Sequence, residues 1–300
     1  MSLHSFLILF VLPLLLGACA APAGRGGAAK GGHGFRVEHN VIYTPKGWPK
    51  ALPANIYVPD STGRRPAVLL VHGGSWRTWD KRWYMTPIAH DLVRRGYVVM
   101  NVSYRGAPAW TYPAPVEDLQ EAVKWLRRHA DEYHIRPERI GVYGYSAGAQ
   151  LAAQLGTLDG PRGVRVQAVV AGGTPSDLRL YPGGRLVPSY LGGNLMRVPE
   201  VFCEASPVTH VTPDDPPFFI YHGTRDMIVP PIHAIILDEV LSDAGVPHDL
   251  WWVKNRGHIM TFLFPGEAVT RAIDFLDDVL KGEERKSAAR PLPPTSETPA

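Results

Sequence analysis

The chain has 300 residues, 45% of them apolar and 20% charged, enough to bury a large core, and this composition excludes wholesale disorder. Its 31 Lys and Arg against 28 Asp and Glu give a formal net charge of +3, and no basic run interleaves with aromatics, which argues against a nucleic-acid groove. Two cysteines, Cys19 and Cys203, are too few for a disulfide framework.

The first predicted element is the apolar run FLILFVLPLLLGA at residues 6–18. Thirteen residues containing Pro13 are short for a membrane-spanning helix and suit the apolar region of a secretory signal. Leu16-Gly17-Ala18-Cys19 resembles the bacterial lipobox, which implies a signal peptide over 1–18 and a lipid on Cys19 that anchors the rest to a membrane. The start MSLHS lacks the usual basic residue and keeps plain secretion as the alternative. Ala20 stands where inner-membrane lipoproteins carry an acidic residue, so the expected location is the bacterial cell envelope, with the outer membrane favoured where there is one. Residues 19–34, rich in Gly and Ala, are expected to form a flexible tether. Residues 281–300, charged and Pro-rich, are expected to be a disordered tail. The domain is then 35–280.

Within it, short apolar runs alternate with amphipathic segments. Residues 67–73 and 97–104 read as buried strands, and 86–96 between them as a helix with Ile88, Leu92 and Val93 on one side, ended by Gly96. Residues 113–133 place Val116, Leu119, Val123 and Leu126 in one stripe behind an initial proline, a second helix. Strands follow over 139–146, 166–173, 216–223 and 249–255, with helices over 147–158, 232–245 and 267–280. The alternation predicts an α/β fold with a mostly parallel sheet covered by helices on both faces, and functional residues on loops beyond the carboxyl ends of the strands. Residues 174–205, rich in Gly, Pro, Leu and Tyr, are expected to form a small cap.

Gly144-Tyr145-Ser146-Ala147-Gly148, inside YGYSAGAQ, matches G-x-S-x-G at a predicted strand-to-helix turn, where small neighbours let strand and helix approach around an exposed serine. A bland reading is a glycine turn with a helix-capping serine. A nucleophilic serine needs a base and an orienting carboxylate. Asp226 follows a strand 80 residues after Ser146, and His258 follows the last strand 32 residues later, the order expected of a nucleophile elbow. Charge developing on a substrate carbonyl needs backbone donors, for which Ala147 and the glycines Gly73 and Gly74 of HGGSW are the candidates. His72 reads as ordering that loop.

HGGSW, GYSAG, the tract from Val102 to Leu126, HGTRD and GHIM together resemble the esterase/lipase branch of the α/β-hydrolase fold, close to carboxylesterase and feruloyl-esterase-like proteins with an HGG-x-W loop. The resemblance implies an α/β-hydrolase fold with Ser146 as nucleophile, Asp226 as orienting acid, His258 as general base and Gly73, Gly74 and Ala147 as the oxyanion region. Ser75 departs from the HGGG of hormone-sensitive-lipase relatives and favours the HGG-x-W group, which includes arylformamidase-like enzymes. Hydrolysis of small or medium esters, including acyl groups on polysaccharide, is the expected activity. An amide, peptide or arylformamide hydrolase and a noncatalytic binder on the same scaffold are the alternatives. Trp76, Tyr145 and Trp110, with Trp79 and Trp83 nearby, are expected on the substrate pocket, although tryptophans also serve as plain core. No cofactor is implied, and no HExxH or clustered Cys/His spacing points to a metal. The oligomeric state is not legible.

Overall fold

Nine strands pair into one sheet in the computed structural model, which describes residues 29–31, 34–158, 164–181 and 184–282. In chain order come β1 (Ala29–Gly31), β2 (Phe35–Ile42), β3 (Pro53–Pro59), β4 (Arg65–Val71), α1 (Thr86–Arg94), β5 (Val98–Val102), α2 (Ala114–Arg128), β6 (Ile135–Tyr145), α3 (Ala147–Thr157) and β7 (Ala168–Gly172). After β7 lie the short helices α4 (Leu186–Leu191) and α5 (Pro199–Glu204), then β8 (Phe218–Gly223), α6 (Ile232–Asp243), β9 (His248–Val253), α7 (His258–Leu263) and α8 (Ala268–Lys281). The spatial order is β1-β2-β3-β5-β4-β6-β7-β8-β9. β4 to β9 run parallel to one another, and β1, β2 and β3 join antiparallel along the β5 edge.

Helices on both faces leave the central strands no wet side, which is why β4, β5, β7 and β8 read as largely apolar, buried runs rather than alternating ones. Successive side chains feed two cores. Leu69 and Val71 point with Leu119 and Val123 of α2, Leu151 of α3 and Leu237 of α6 into one, while Val68 and Leu70 point with Leu92 of α1 and Leu276 of α8 into the other. Gly96, at φ +89°, closes α1 in the left-handed conformation a glycine adopts without cost. Every residue of α3 is buried, and its alanines and glycines let it lie close against β6 and β7.

The α/β-hydrolase class expected from the alternation is the fold found. Three details differ. The hairpin of β2 and β3 was not expected, because HNVIYTPKGWP mixes strand formers with turn residues. Ala29–Gly31, inside the expected tether, pairs with β2 instead. The residue expected to sit in a loop after the last strand, His258, opens α7. The expected cap region carries a 3-10 turn at Leu178–Leu180 with α4 and α5, and anchors itself by burying Leu178, Tyr190 and Phe202. The expected signal peptide, Cys19 and almost all of the expected tail lie outside the described residues.

Candidate active site

The parallel strands deliver their carboxyl ends to one edge, and three connections at that edge carry the predicted triad. β6 ends at Tyr145 and α3 begins at Ala147, so the chain reverses direction at Ser146, which sits at φ +57° and ψ −125°. A side chain in that region is strained, and the surrounding contacts hold it there. Glycine is required on both sides. A Cβ on Gly144 would lie 2.1 Å from the Gly148 carbonyl oxygen, and one on Gly148 would lie 2.3 Å from the Val71 oxygen. The G-x-S-x-G spacing therefore reports the close approach of α3 to β6 and to the end of β4.

Asp226 stands three residues beyond β8, and His258 opens α7 after β9. The His258 Nδ1–H donates to Asp226 Oδ2 at 2.6 Å, and the Ser146 hydroxyl donates to His258 Nε2 at 2.8 Å. Residues separated by up to 112 positions in sequence thus form one hydrogen-bonded line. The carboxylate acceptor on one side of the imidazole sets its tautomer and leaves Nε2 to accept the serine proton.

The second oxygen of Asp226 accepts from the amides of Ile228 and Val229 at 2.9 and 2.8 Å. Burial pushes the carboxyl up, but the hydrogen bond and charge of His258, the Val229 amide and nearby His222 outweigh it and hold Asp226 below the ordinary carboxylate range. His222, fully buried at the end of β8, has its Nε2 2.8 Å from the Val229 carbonyl oxygen and 3.5 Å from Asp226 Oδ2. A carbonyl only accepts, so Nε2 carries the proton and donates it to the turn beyond the acid.

HGGSW follows β4. Gly73 lies against Ser146, since a Cβ there would meet Ser146 Cβ at 3.1 Å and the Tyr145 oxygen at 2.8 Å. Gly74 has φ +126°, and Ser75 and Trp76 follow at +56° and +54°, a run of left-handed residues that turns the loop sharply. Among the described residues, the amides of Gly73, Gly74 and Ala147 donate to no protein group. The loop is braced from behind. Tyr104 donates to the His72 carbonyl at 2.9 Å and stacks on its ring at 4.6 Å, and His72 Nδ1–H donates to the Gly73 oxygen at 2.7 Å.

Of the aromatics expected on the pocket, two are spent on support. Trp76 is buried, stacks on Tyr190 at 4.8 Å and donates its indole N–H to Gln150 at 2.7 Å. Tyr145 is buried too; its hydroxyl donates to the His258 carbonyl at 2.6 Å and its ring packs on Phe262. Both rings must satisfy a polar atom while filling core, which fixes them facing inward. Trp110 is half-buried, with the Arg105 guanidinium 5.1 Å from its ring. Trp79 and Trp83 are exposed.

Sequence reasoning did not single out His222, Gln150 or Tyr104. Gln150 joins the HGGSW loop to the cap region, since it also donates to the Ala205 carbonyl at 2.7 Å. A signal was present: a glutamine on a helix made mostly of Ala, Gly and Leu, every residue of which is buried, has to find buried partners. His222 is visible in the same way, as an imidazole within FFIYHG.

The BD-FAE family profile matches residues 54–241, more than half of the chain. The chain belongs to the BD-FAE family. The matched span contains HGGSW, GYSAG and HGTRD and ends before His258, so His258 joins the BD-FAE motifs by geometry. The chain is 32% identical over 187 residues to the probable carboxylic ester hydrolase LipM of Mycobacterium tuberculosis, covering 57% of this chain and 43% of that protein. It is 31% identical over 205 residues to the esterase LipQ of the same organism, covering 62% of this chain and 48% of LipQ. It thus spans less than half the length of these curated relatives. Among solved structures, a truncated carbohydrate esterase from gut microbiota superposes with a TM-score of 0.74 at 23% identity, covering 82% of this chain and 96% of that one. The esterase Est2 of Thermogutta terrifontis gives 0.69 at 25% identity, covering 81% and 92%.

Proposed function

We propose that this BD-FAE protein is a serine carboxylic ester hydrolase that works through an acyl-enzyme. The observation that carries the reading is the continuous hydrogen-bonded line from Ser146 Oγ through His258 to the buried Asp226. Ser146 Oγ attacks the ester carbonyl carbon while His258 Nε2 takes the hydroxyl proton, and Asp226 holds the imidazole in the tautomer that can accept it. The oxyanion forms beside the amides of Ala147 and of the Gly73–Gly74 turn, preorganised donors that need not reorient. Collapse breaks the ester C–O bond, and the alcohol leaves with the proton from Nε2. Water then gives a proton to Nε2, adds to the acyl carbon, and frees acid and serine.

Small and medium esters, including acyl groups on polysaccharide, are the proposed substrates. Esterases among the relatives and the likeness to a carbohydrate esterase in fold support this reading. Matched p-nitrophenyl esters and anilides of acetyl to octanoyl chains, assayed side by side, test it. The expected result is turnover of the short esters with anilides slower by about 10²-fold or more, roughly 3 kcal/mol of barrier. Equal or faster anilide turnover sinks the ester assignment and leaves the acyl-enzyme.

A lipid on Cys19 is proposed as the anchor, on the strength of the apolar run and the lipobox-like LGAC. Detergent-extracted protein should show by intact mass an N-terminus beginning at Cys19 with acyl chains attached. An unmodified cysteine there overturns it.

A further inference from the structure

Thirteen large apolar side chains are exposed among the described residues, and twelve of them fall in the connections that leave the carboxyl ends of β4, β7, β8 and β9. Only Ile42, on β2, lies elsewhere. Scattered exposed apolar residues need no explanation, but a set concentrated around one functional edge marks an interaction surface. Trp79 and Trp83 stand at 59% and 67% exposure after β4, Met227 at 90% beside the triad acid, and Leu263 and Phe264 at 57% and 55% at the end of α7. The connections touch one another. Tyr84 meets Phe262 edge-on at 6.4 Å, Phe262 packs on Tyr145 at 4.8 Å, and Tyr181 donates to the Ile228 carbonyl.

The charge on these segments is mainly positive. Residues 74–85, 177–197, 224–232 and 254–264 contain nine Lys and Arg and three acids, Asp80, Asp177 and Asp226. Asp80 is paired with Arg82 at 2.7 Å, Asp177 with Arg179 at 2.8 Å, and Asp226 is buried against His258. The whole chain carries almost equal numbers of both signs, so the bias is local. Cations also sit on the exposed rings: Lys81 Nζ lies 5.0 Å and Arg77 Cζ 5.4 Å from the Trp79 ring, and Arg256 Cζ 5.9 Å from Phe264. An amphipathic belt of this kind places rings at the headgroup level and cations on lipid phosphates.

We propose that this edge docks on an anionic lipid surface, with the Ser146 site facing it, and that the substrates include amphipathic esters held in that surface. The substrate part rests on the ester-hydrolase reading; the docking part does not. A lipid on Cys19 would confine the domain near a membrane, while the belt would fix which face meets it.

The test uses the full chain with Cys19→Ser and Cys203→Ser, carrying an environment-sensitive fluorophore on Phe264→Cys or, as control, on Glu132→Cys at the opposite edge between α2 and β6. Phosphatidylglycerol vesicles should shift the label at 264 to the blue and expose it to quenchers in the bilayer, leave the label at 132 in water, and lose the effect in high salt. Phosphatidylcholine vesicles should give a much weaker response. Because the label reports its own surroundings, the apolar residues 6–18 do not confuse the reading. Combined Trp83→Ser, Leu186→Ser, Leu263→Ser and Phe264→Ser in the unlabelled chain should weaken the phosphatidylglycerol-specific gain in vesicle partitioning by more than about tenfold. Turnover of dissolved p-nitrophenyl acetate should stay within about threefold of the parent, since none of the four touches the triad. A label at 264 that stays aqueous, an equal response to both lipids, or a shift that grows with protein concentration without vesicles, which means a second copy covers the edge, overturns the docking. Loss of p-nitrophenyl acetate turnover in the four-residue variant overturns it too, because the side chains then serve the site. A parent chain that docks but hydrolyses no ester refutes the enzymatic reading alone.

Discussion

Ser146→Ala is expected to lower kcat/KM for a short p-nitrophenyl ester by about 10⁴-fold or more, because nucleophile and base act as one unit and what remains is oxyanion stabilisation and binding. The substitution deletes one hydroxyl whose hydrogen bond runs to His258 Nε2, and it leaves the backbone contact that fixes the turn, Ser146 N–H to the Gly172 oxygen at 2.8 Å. Circular dichroism and the urea midpoint should therefore match the parent. A fluorophosphonate should add once to the parent, at Ser146, and not to the variant. Parent-like turnover in pure variant would remove Ser146 from the mechanism, and with it the acyl-enzyme. The distinction from a structural serine is sharp, since a capping serine accepts from an amide one turn on, whereas Ser146 makes no side-chain cap bond.

The parts of this site that were legible in the sequence are those where local covalent geometry dictates the residue. Gly144 and Gly148 are forced by backbone approaches shorter than 3 Å, so the motif reports a three-dimensional contact in five letters. Asp226 and His258 were legible because each follows a strand of the parallel set, and parallel strands bring such positions to one edge. The β2–β3 hairpin was not legible, because its pairing to β5 is supplied by residues far along the chain rather than by its own pattern. The inward turn of Trp76 and Tyr145 was hidden for a similar reason. An aromatic beside a catalytic motif fits either a pocket wall or a brace, and only the partners Gln150, Tyr190 and the His258 carbonyl decide between them. The apolar edge was hidden as well, since exposure is a property of what fails to cover a side chain.

Stability is expected to fall steeply as the pH drops from about 6.5 to about 4, by up to about 3 kcal/mol for each of two buried imidazoles. Burial is the leading cause in both: His72 is pushed down to about 4, as is His233, where the charge of His222 adds to the effect. His222 is pushed down by the same burial. In the folded chain these rings stay neutral through a range in which the unfolded chain protonates them near the ordinary 6.5. The unfolded state then binds more protons, so the contribution is intact above about 6.5, shrinks as the pH falls, and is gone below about 4. Asp226 acts in the same direction by the opposite rule. Its carboxyl is held below the ordinary value, so its stabilisation is present above that value and lost as the pH falls through the lower, folded one. Urea unfolding followed at pH 7, 6, 5 and 4.5 measures the slope. In His233→Gln, where no proton can be taken up at that position, the midpoint should change less across this range than in the parent, even if it starts lower. A midpoint independent of pH between 7 and 4.5 would mean that these rings already take up protons in the folded state. For His72 that reading is sterically demanding, because its Nδ1–H is committed to the Gly73 oxygen and a proton on Nε2 would point at no acceptor among the described residues. The same loop supplies the Gly73 and Gly74 amides, so protonation of His72 would weaken the fold and disturb the proposed oxyanion site together.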